Sequence, residues 1–189
     1  MVNQRRGRLF VVSGPSGSGK SSLCAALLKQ CPDLQLSISC TTRPPRPGEE
    51  DSVQYHFLSR ELFEGEVESG AFLEWANVHG NLYGTRRRDV ESALASGKDI
   101  LLEIDWQGAA QVAERVEDAY RIFILPPSIE ELRVRLTARG QDADEVVQRR
   151  VAAAESEMAH AHEAHSQLVN DDFDQALEKL HTLYSNNRS

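Results

Sequence analysis

Residues Gly14-Pro15-Ser16-Gly17-Ser18-Gly19-Lys20-Ser21 spell G-x-x-x-x-G-K-[ST], and they stand between the apolar run Leu9-Phe10-Val11-Val12 and the helix-forming stretch from Ser22 to Leu28. Strand, glycine-rich loop and helix in this order make a loop that cradles phosphates. Its glycines let backbone N–H groups turn inward around one anion, and the helix that follows adds the positive end of its dipole. In such a loop Lys20 reaches the β- and γ-phosphates and the Ser21 hydroxyl sits on Mg2+. The chain is expected to bind a nucleoside triphosphate.

Beyond the loop, apolar runs and amphipathic stretches alternate, which argues for parallel strands joined by crossover helices. The pattern predicts strands at 8–13, 34–41, 100–105, 120–125 and 167–170, with helices at 20–30, 108–117, 143–165 and 173–184. Pro126-Pro127 closes the strand before it, since proline cannot continue a ladder. Ser128 is expected to cap a helix from Ile129, with Glu131 as its capping-box partner. Residues 43–97 break this rhythm. They open on Arg43-Pro44-Pro45-Arg46-Pro47-Gly48 and carry short alternating segments, as a partly β insertion would. The expected α/β organisation is a P-loop core of 8–42 and 98–189, with a helical lid at about 128–155, an inserted subdomain at 43–97 and a flexible N-terminus at 1–7.

A length of 189 residues suits one α/β domain that needs no disulfide or metal staple. With 29 acidic against 21 basic residues the net charge is −8, a poor match for nucleic acid or an anionic membrane. Cys24, Cys31 and Cys40 form no C-x-x-C pair and read as reduced thiols. The basic residues Arg5, Arg6 and Arg8 precede an apolar run too short for a signal peptide or a membrane span. A cytoplasmic protein is expected, with no nucleic-acid or membrane partner, and no pattern points to an oligomeric state.

Asp105 ends the predicted strand 100–105, where P-loop proteins place a carboxylate near Mg2+. Asp105-Trp106-Gln107-Gly108 also fits the D-x-x-G of a GTPase switch, but no Asn in the chain is followed by Lys, so the guanine-reading N-K-x-D is missing. Arg43 and Arg46 flank a rigid double proline that would aim two guanidinium groups at one spot, and guanidinium forks match phosphate geometry. A second set, Arg133, Arg135, Arg139, Arg149 and Arg150, surrounds Gly140-Gln141-Asp142 and suggests a hinged lid over phosphates. His162-Glu163-Ala164-His165 misses H-E-x-x-H because Ser166 follows, so His160, His162 and His165 read as a solvated helix face. Trp75 and Trp106 read as core or pocket wall.

The chain resembles the guanylate kinases over nearly its full length. The matching segments are Ser13 to Ser21, Ser37 to Glu49, Tyr55-His56-Phe57, Glu74-Trp75-Ala76, Gly80-Asn81-Leu82-Tyr83-Gly84-Thr85, Ile104 to Gly108, Pro126-Pro127-Ser128, Arg139-Gly140 and Val169-Asn170-Asp171. The double-arginine segment with Tyr55, and the Gly-Asn-x-Tyr-Gly-Thr segment, are more specific to the family than the loop. The resemblance implies phosphoryl transfer from ATP to GMP, with Mg2+. It assigns Arg43, Arg46, Tyr55 and Tyr83 to the GMP phosphate, and Ser39, Glu74, Thr85 and Asp105 to guanine, with Asp105 alternatively serving the metal. Arg46, Arg139 and Arg150, with Lys20, would meet the reacting phosphates, and Asn170 would lie beside the adenine. The metal set would be Ser21, Asp105 and Glu103, which stands where many relatives carry Asp. Ser52 replaces a turn glycine.

The residue chemistry agrees. Guanine offers N1–H and N2–H2 as adjacent donors and O6 as an acceptor, so Glu74 can accept both donors while Ser39 donates to O6. Adenine reverses the pattern, and a site that pairs polar groups in this way rejects a mismatch by about 10^4-fold. Two competing readings remain at this point. One is a non-catalytic scaffold of the same fold, disfavoured by the presence of Lys20, Ser21, Arg139 and Arg150. The other is a kinase for a different mononucleotide base.

Overall fold

The computed structural model describes residues 5–78, 80–138 and 144–188. In chain order these form β1 (Leu9–Ser13), α1 (Lys20–Gln30), β2 (Leu34–Leu36), β3 (Cys40–Thr41), β4 (His56–Phe57), α2 (Arg60–Glu68), β5 (Phe72–Val78), β6 (Asn81–Arg86) and α3 (Arg87–Ala95). Then follow β7 (Asp99–Glu103), α4 (Trp106–Arg115), β8 (Tyr120–Leu125), α5 (Ile129–Ala138), α6 (Asp144–Met158), a 3-10 turn (Ala159–Glu163), β9 (Ser166–Val169) and α7 (Phe173–Asn186).

Every residue of β1 is buried. A strand buried on both faces needs cover on both. Phe10 and Val12 pack into one apolar layer with Leu23 and Leu27 of α1 and Leu180 and Tyr184 of α7. Leu9 and Val11 pack into the other, with Leu94 of α3 and Val112 of α4. Each such side chain contributes roughly 1.5–3 kcal/mol of transfer free energy. The sheet is parallel, in the order β2-β7-β1-β8-β9, so the loop after β1 emerges at its centre.

A second sheet, β4-β3-β6-β5, stands on this core. Cys40, Phe63, Phe72 and Leu82 form its own small core, with the Phe63 and Phe72 rings stacked at 4.5 Å. Helix α4 ties the two sheets together. Gln111 Nε2 donates to Trp75 O at 2.6 Å, Trp75 N donates to Gln111 Oε1 at 3.3 Å, and the Arg115 guanidinium donates to Leu73 O.

Several expectations change. The strand foreseen at 34–41 is two strands, β2 in the parallel sheet and β3 in the other, so the chain passes between sheets within six residues. The strand with Leu101 and Leu102 ends at Glu103 rather than Asp105, because Asp105 is extended and serves as the N-cap of α4. The helix foreseen at 143–165 ends at Met158 and gives way to the 3-10 turn. Ser128 does cap α5, its Oγ accepting from Glu131 N at 3.0 Å, but the Glu131 carboxylate pairs with Arg135 at 3.1 Å instead of closing the box. Arg5 and Gly7, within the stretch expected to be flexible, are hydrogen-bonded: Arg5 to Asp99 Oδ1 at 3.0 Å and Gly7 N to Leu94 O at 2.9 Å. His160 is half-buried, not on a solvated face, with its ring stacked on Trp106 at 3.7 Å.

Candidate active site

Helix α1 differs from α2, α4 and α7 at the N-terminus. Ser59 caps α2, Asp105 caps α4 and Asp172 caps α7, each through a side-chain oxygen. At α1 the cap is Gly19, left-handed at φ 91°, with no side-chain bond and no acidic residue in the first turn. The helix therefore keeps its first N–H groups and its dipole end for an anion. A Cβ on Gly19 would stand 2.2 Å from Asn170 Nδ2, so the position requires glycine for space as well as for φ. Asn170 is buried beneath the loop, where its amide donates to Ser18 O at 2.8 Å. It does not line the cavity.

Lys20 Nζ donates to Gly14 O at 2.5 Å and to Pro15 O at 3.1 Å, folded back on its own loop. Burial lowers its pKa, and the nearby carboxylates of Glu103, Glu157 and Asp105 oppose that shift. Ser21 Oγ donates to Glu103 Oε1 at 2.5 Å, joining the first turn of α1 to the end of β7.

Across the cleft a β-bulge sets the position of Glu74. Phe72 pairs with Arg86 and Glu74 with Thr85, so two steps on β5 oppose one on β6. The bulge interrupts the alternation of faces, and Phe72, Leu73 and Glu74 are all buried. Opposite Glu74, the buried Thr85 donates its hydroxyl to Glu74 Oε1 at 2.5 Å. Burial, opposed by the Thr85 bond and reinforced by the charge of Asp105, pushes the Glu74 carboxyl up to about 7. Asp105 Oδ1 accepts from Gly108 N at 2.9 Å and Oδ2 from Gln107 Nε2 at 3.0 Å, and burial raises its pKa too.

One cavity of about 400 Å³ joins these groups. Gly14, Ser16, Gly17, Gly19, Lys20 and Ser21 line one side, while Ser39, Tyr55, Glu74 and Tyr83 line the other, with Glu103 and Asp105 between. Arg43, Arg46 and Arg150 do not line it. Gly48, at φ 85°, turns the chain so that Glu49 comes back to meet Arg43 Nη2 at 2.9 Å and the Arg46 backbone N at 2.7 Å. The Arg43 guanidinium also lies over the Tyr55 ring at 5.4 Å, and the Arg46 side chain points from an exposed position. Arg139 lies outside the described residues, as does the link Gly140-Gln141-Asp142.

Sequence reasoning missed Glu157. This residue of α6 lines the cavity, and burial raises its pKa while Lys20 lowers it. In an alanine-rich helix its charge was the one available signal.

Serine hydroxyl and carboxylate oxygens, brought together at Ser21 and Glu103 beside Asp105, suit a hard divalent cation. Among the described residues no group of three or more His, Cys, Asp or Glu could hold an ion by itself. Mg2+ fits such a place, since it takes one or two carboxylates together with substrate phosphates.

A phosphate loop that faces carboxylates across one cavity, on a parallel sheet flanked by helices, is the arrangement of a P-loop kinase. A family model described as guanylate kinase matches residues 6–187. The chain is 57% identical over 182 residues to a guanylate kinase of Alkalilimnicola ehrlichii, covering 96% of this chain and 90% of that protein. It is 56% identical over 176 residues to one from Idiomarina loihiensis, covering 92% and 84%. The crystal structure of guanylate kinase from Anaplasma phagocytophilum superposes with a TM-score of 0.81 at 31% identity, covering 97% of this chain and 87% of that one. The chain belongs to the guanylate kinase family and is an ATP:GMP phosphotransferase.

Proposed function

We propose that GMP sits with its base on Glu74, Ser39 and Asp105, with Thr85 behind Glu74 rather than on the base, and its phosphate on Arg43, Arg46, Tyr55 and Tyr83, facing ATP held by residues 14–21. A GMP phosphate oxygen then attacks the γ-phosphorus in line while the bond to the β-phosphate oxygen breaks, which gives GDP and ADP. The observation that carries this reading is the shared cavity, with the loop on one wall and Glu74, Ser39, Tyr55 and Tyr83 on the other.

The side chains have separate tasks. Ionised Glu74 turns both carboxylate oxygens toward the two guanine donors, and Thr85 also donates to Oε1 from behind. Lys20 leaves the Gly14 and Pro15 carbonyls for the phosphates of ATP. Arg46, Arg139 and Arg150 converge on the migrating group when residues 43–97 and the lid at about 128–155 close on the core. Positive groups that enter at closure supply roughly 10^3–10^5 in rate. Closure also excludes the water that would otherwise hydrolyse ATP. Asn170 supports the loop from below, because its amide is spent on Ser18 O. Ser21 and Glu103 would hold Mg2+, with Asp105 beside them, and the ion would neutralise phosphate charge as it develops. No general base is needed, since the attacking oxygen is already anionic.

A cytoplasmic location goes with this substrate pair. It is supported by three buried free thiols, of which Cys40 is pushed up to about 12 by burial, and among the described residues no helix is long and apolar enough to cross a membrane. Purified protein with ATP and Mg2+ should form GDP from GMP and leave AMP, CMP, UMP and dTMP largely untouched. Absence of GMP turnover would refute the reading.

A further inference from the structure

Helix α4 meets the base pocket at its third residue, Gly108, which is buried. A Cβ built there would stand 2.4 Å from Glu74 Oε2, 3.1 Å from Glu74 Cδ and 3.3 Å from Ile104 Cδ1. The first distance is well inside van der Waals contact. The Gly108 backbone is helical and its φ lies outside the left-handed region, so space is what the position demands. Glycine is the poorest helix former after proline. Here it occupies the turn position where Glu or Gln commonly closes a capping box. The sequence gives up helix propensity at a point where α4 touches the Glu74 carboxylate.

That carboxylate is thereby fixed from two directions. Thr85 Oγ1 donates to Oε1 from β6 at 2.5 Å, and the bare α-carbon of Gly108 receives Oε2 from α4. Asp105 Oδ1 holds the Gly108 N–H at 2.9 Å, so the helix end cannot back away without losing its cap. Gln111 and Arg115 bond α4 to the backbone of β5 on either side of Glu74, so strand and helix cannot separate either.

We propose that Gly108 is a specificity-determining positioning residue: its missing side chain sets the depth at which Glu74 meets guanine. The inference rests on Glu74 being the guanine reader. A methyl at 108 drives Oε2 outward, and the pair of oxygens no longer matches the adjacent N1–H and N2–H2 donors. Recognition is lost while the loop, Lys20 and the ATP side of the cleft stay untouched.

The test compares Gly108→Ala, Glu74→Gln, Glu74→Asp and the Gly108→Ala/Glu74→Asp double variant by KM for GMP, KM for ATP, GMP-over-AMP preference and Tm. Gly108→Ala should raise the KM for GMP roughly 10- to 100-fold. It should narrow the preference over AMP and hold the KM for ATP within about twofold. Its Tm should stay within a few degrees of the parent's, because the helix propensity of alanine offsets part of the cost of displacing the carboxylate. The shorter Asp clears the new methyl, so the double variant should be no worse than Glu74→Asp alone, a non-additive pair. Should Glu74→Gln raise the KM for GMP while Gly108→Ala leaves it unchanged, the proposal fails and the guanine assignment stands. A Gly108→Ala protein with lowered Tm and equal losses toward GMP and ATP would mark a packing role and also overturn it. An unchanged KM for GMP in Glu74→Gln would remove the guanine assignment itself, and the proposal with it.

Discussion

On the side of the cleft proposed to hold the base, Glu74 is buried in a bulged strand with Thr85 already bonded to it at 2.5 Å. On the phosphate side, Arg43 is engaged by Glu49 at 2.9 Å, and Arg46 is exposed with its backbone N on the same carboxylate. In the proposed roles the base reader is preorganised, and within the phosphate grip Arg43 is held in reserve by a carboxylate of its own segment. Preorganisation costs a partly neutralised carboxyl, since burial pushes Glu74 up to about 7. The Glu49 contact engages the Arg43 guanidinium but only the backbone N of Arg46, and in the proposed role Arg43 would exchange Glu49 for phosphate when GMP arrives. The loop stands between these cases: its backbone is built, yet Lys20 still bonds its own carbonyls.

The largest effect should come from the loop. Lys20→Ala removes the cation proposed to reach the transferring phosphates, and kcat should fall roughly 10^2–10^3-fold in a coupled ADP assay. Near-normal turnover would remove Lys20 from the mechanism. Next comes Glu74→Gln, with a KM for GMP raised roughly 10- to 100-fold and ATP binding retained by calorimetry. Equal losses toward both nucleotides would break the contrast between the two sides.

Acid should act more strongly on the base side than on the loop. Only ionised Glu74 accepts two donors, so below about 7 the KM for GMP should rise toward tenfold per pH unit, while the KM for ATP stays flatter. The same group has a stability signature. Its folded pKa lies above the ordinary carboxyl value of 4.5, so the folded state binds the proton more tightly between the two values. Its contribution to stability therefore declines as pH rises from about 4.5 to about 7, and Glu74→Gln should remove that slope in denaturant titrations.

Asp105→Asn separates capping from charge. Asparagine caps a helix as well as aspartate does, so the Tm should hold. A changed Mg2+ dependence would then assign the carboxylate to the metal, and a changed KM for GMP to guanine. The smallest effect is expected from Glu49→Gln, which weakens the reserve pair. It should lower the KM for GMP by about two- to threefold, in keeping with the modest worth of such ion pairs. A rise instead would show that Glu49 orients Arg43 for the phosphate.

The phosphate loop, strand β1, the cap at Ser128 and the parallel βα pattern were legible because each is written in residues close in sequence. The family motifs named Glu74, Thr85, Tyr55 and Tyr83 for the same reason. Nothing local marked the bulge that turns Glu74 inward, the break that sends 34–41 into two sheets, or the reach of Glu157 into the cavity. Chain-local chemistry thus determined which groups this protein uses and the core that carries them. Their aim, their partners and their ionisation were decided by tertiary packing, because a carboxylate's depth and pKa depend on what is folded against it, as Gly108 and Thr85 are against Glu74.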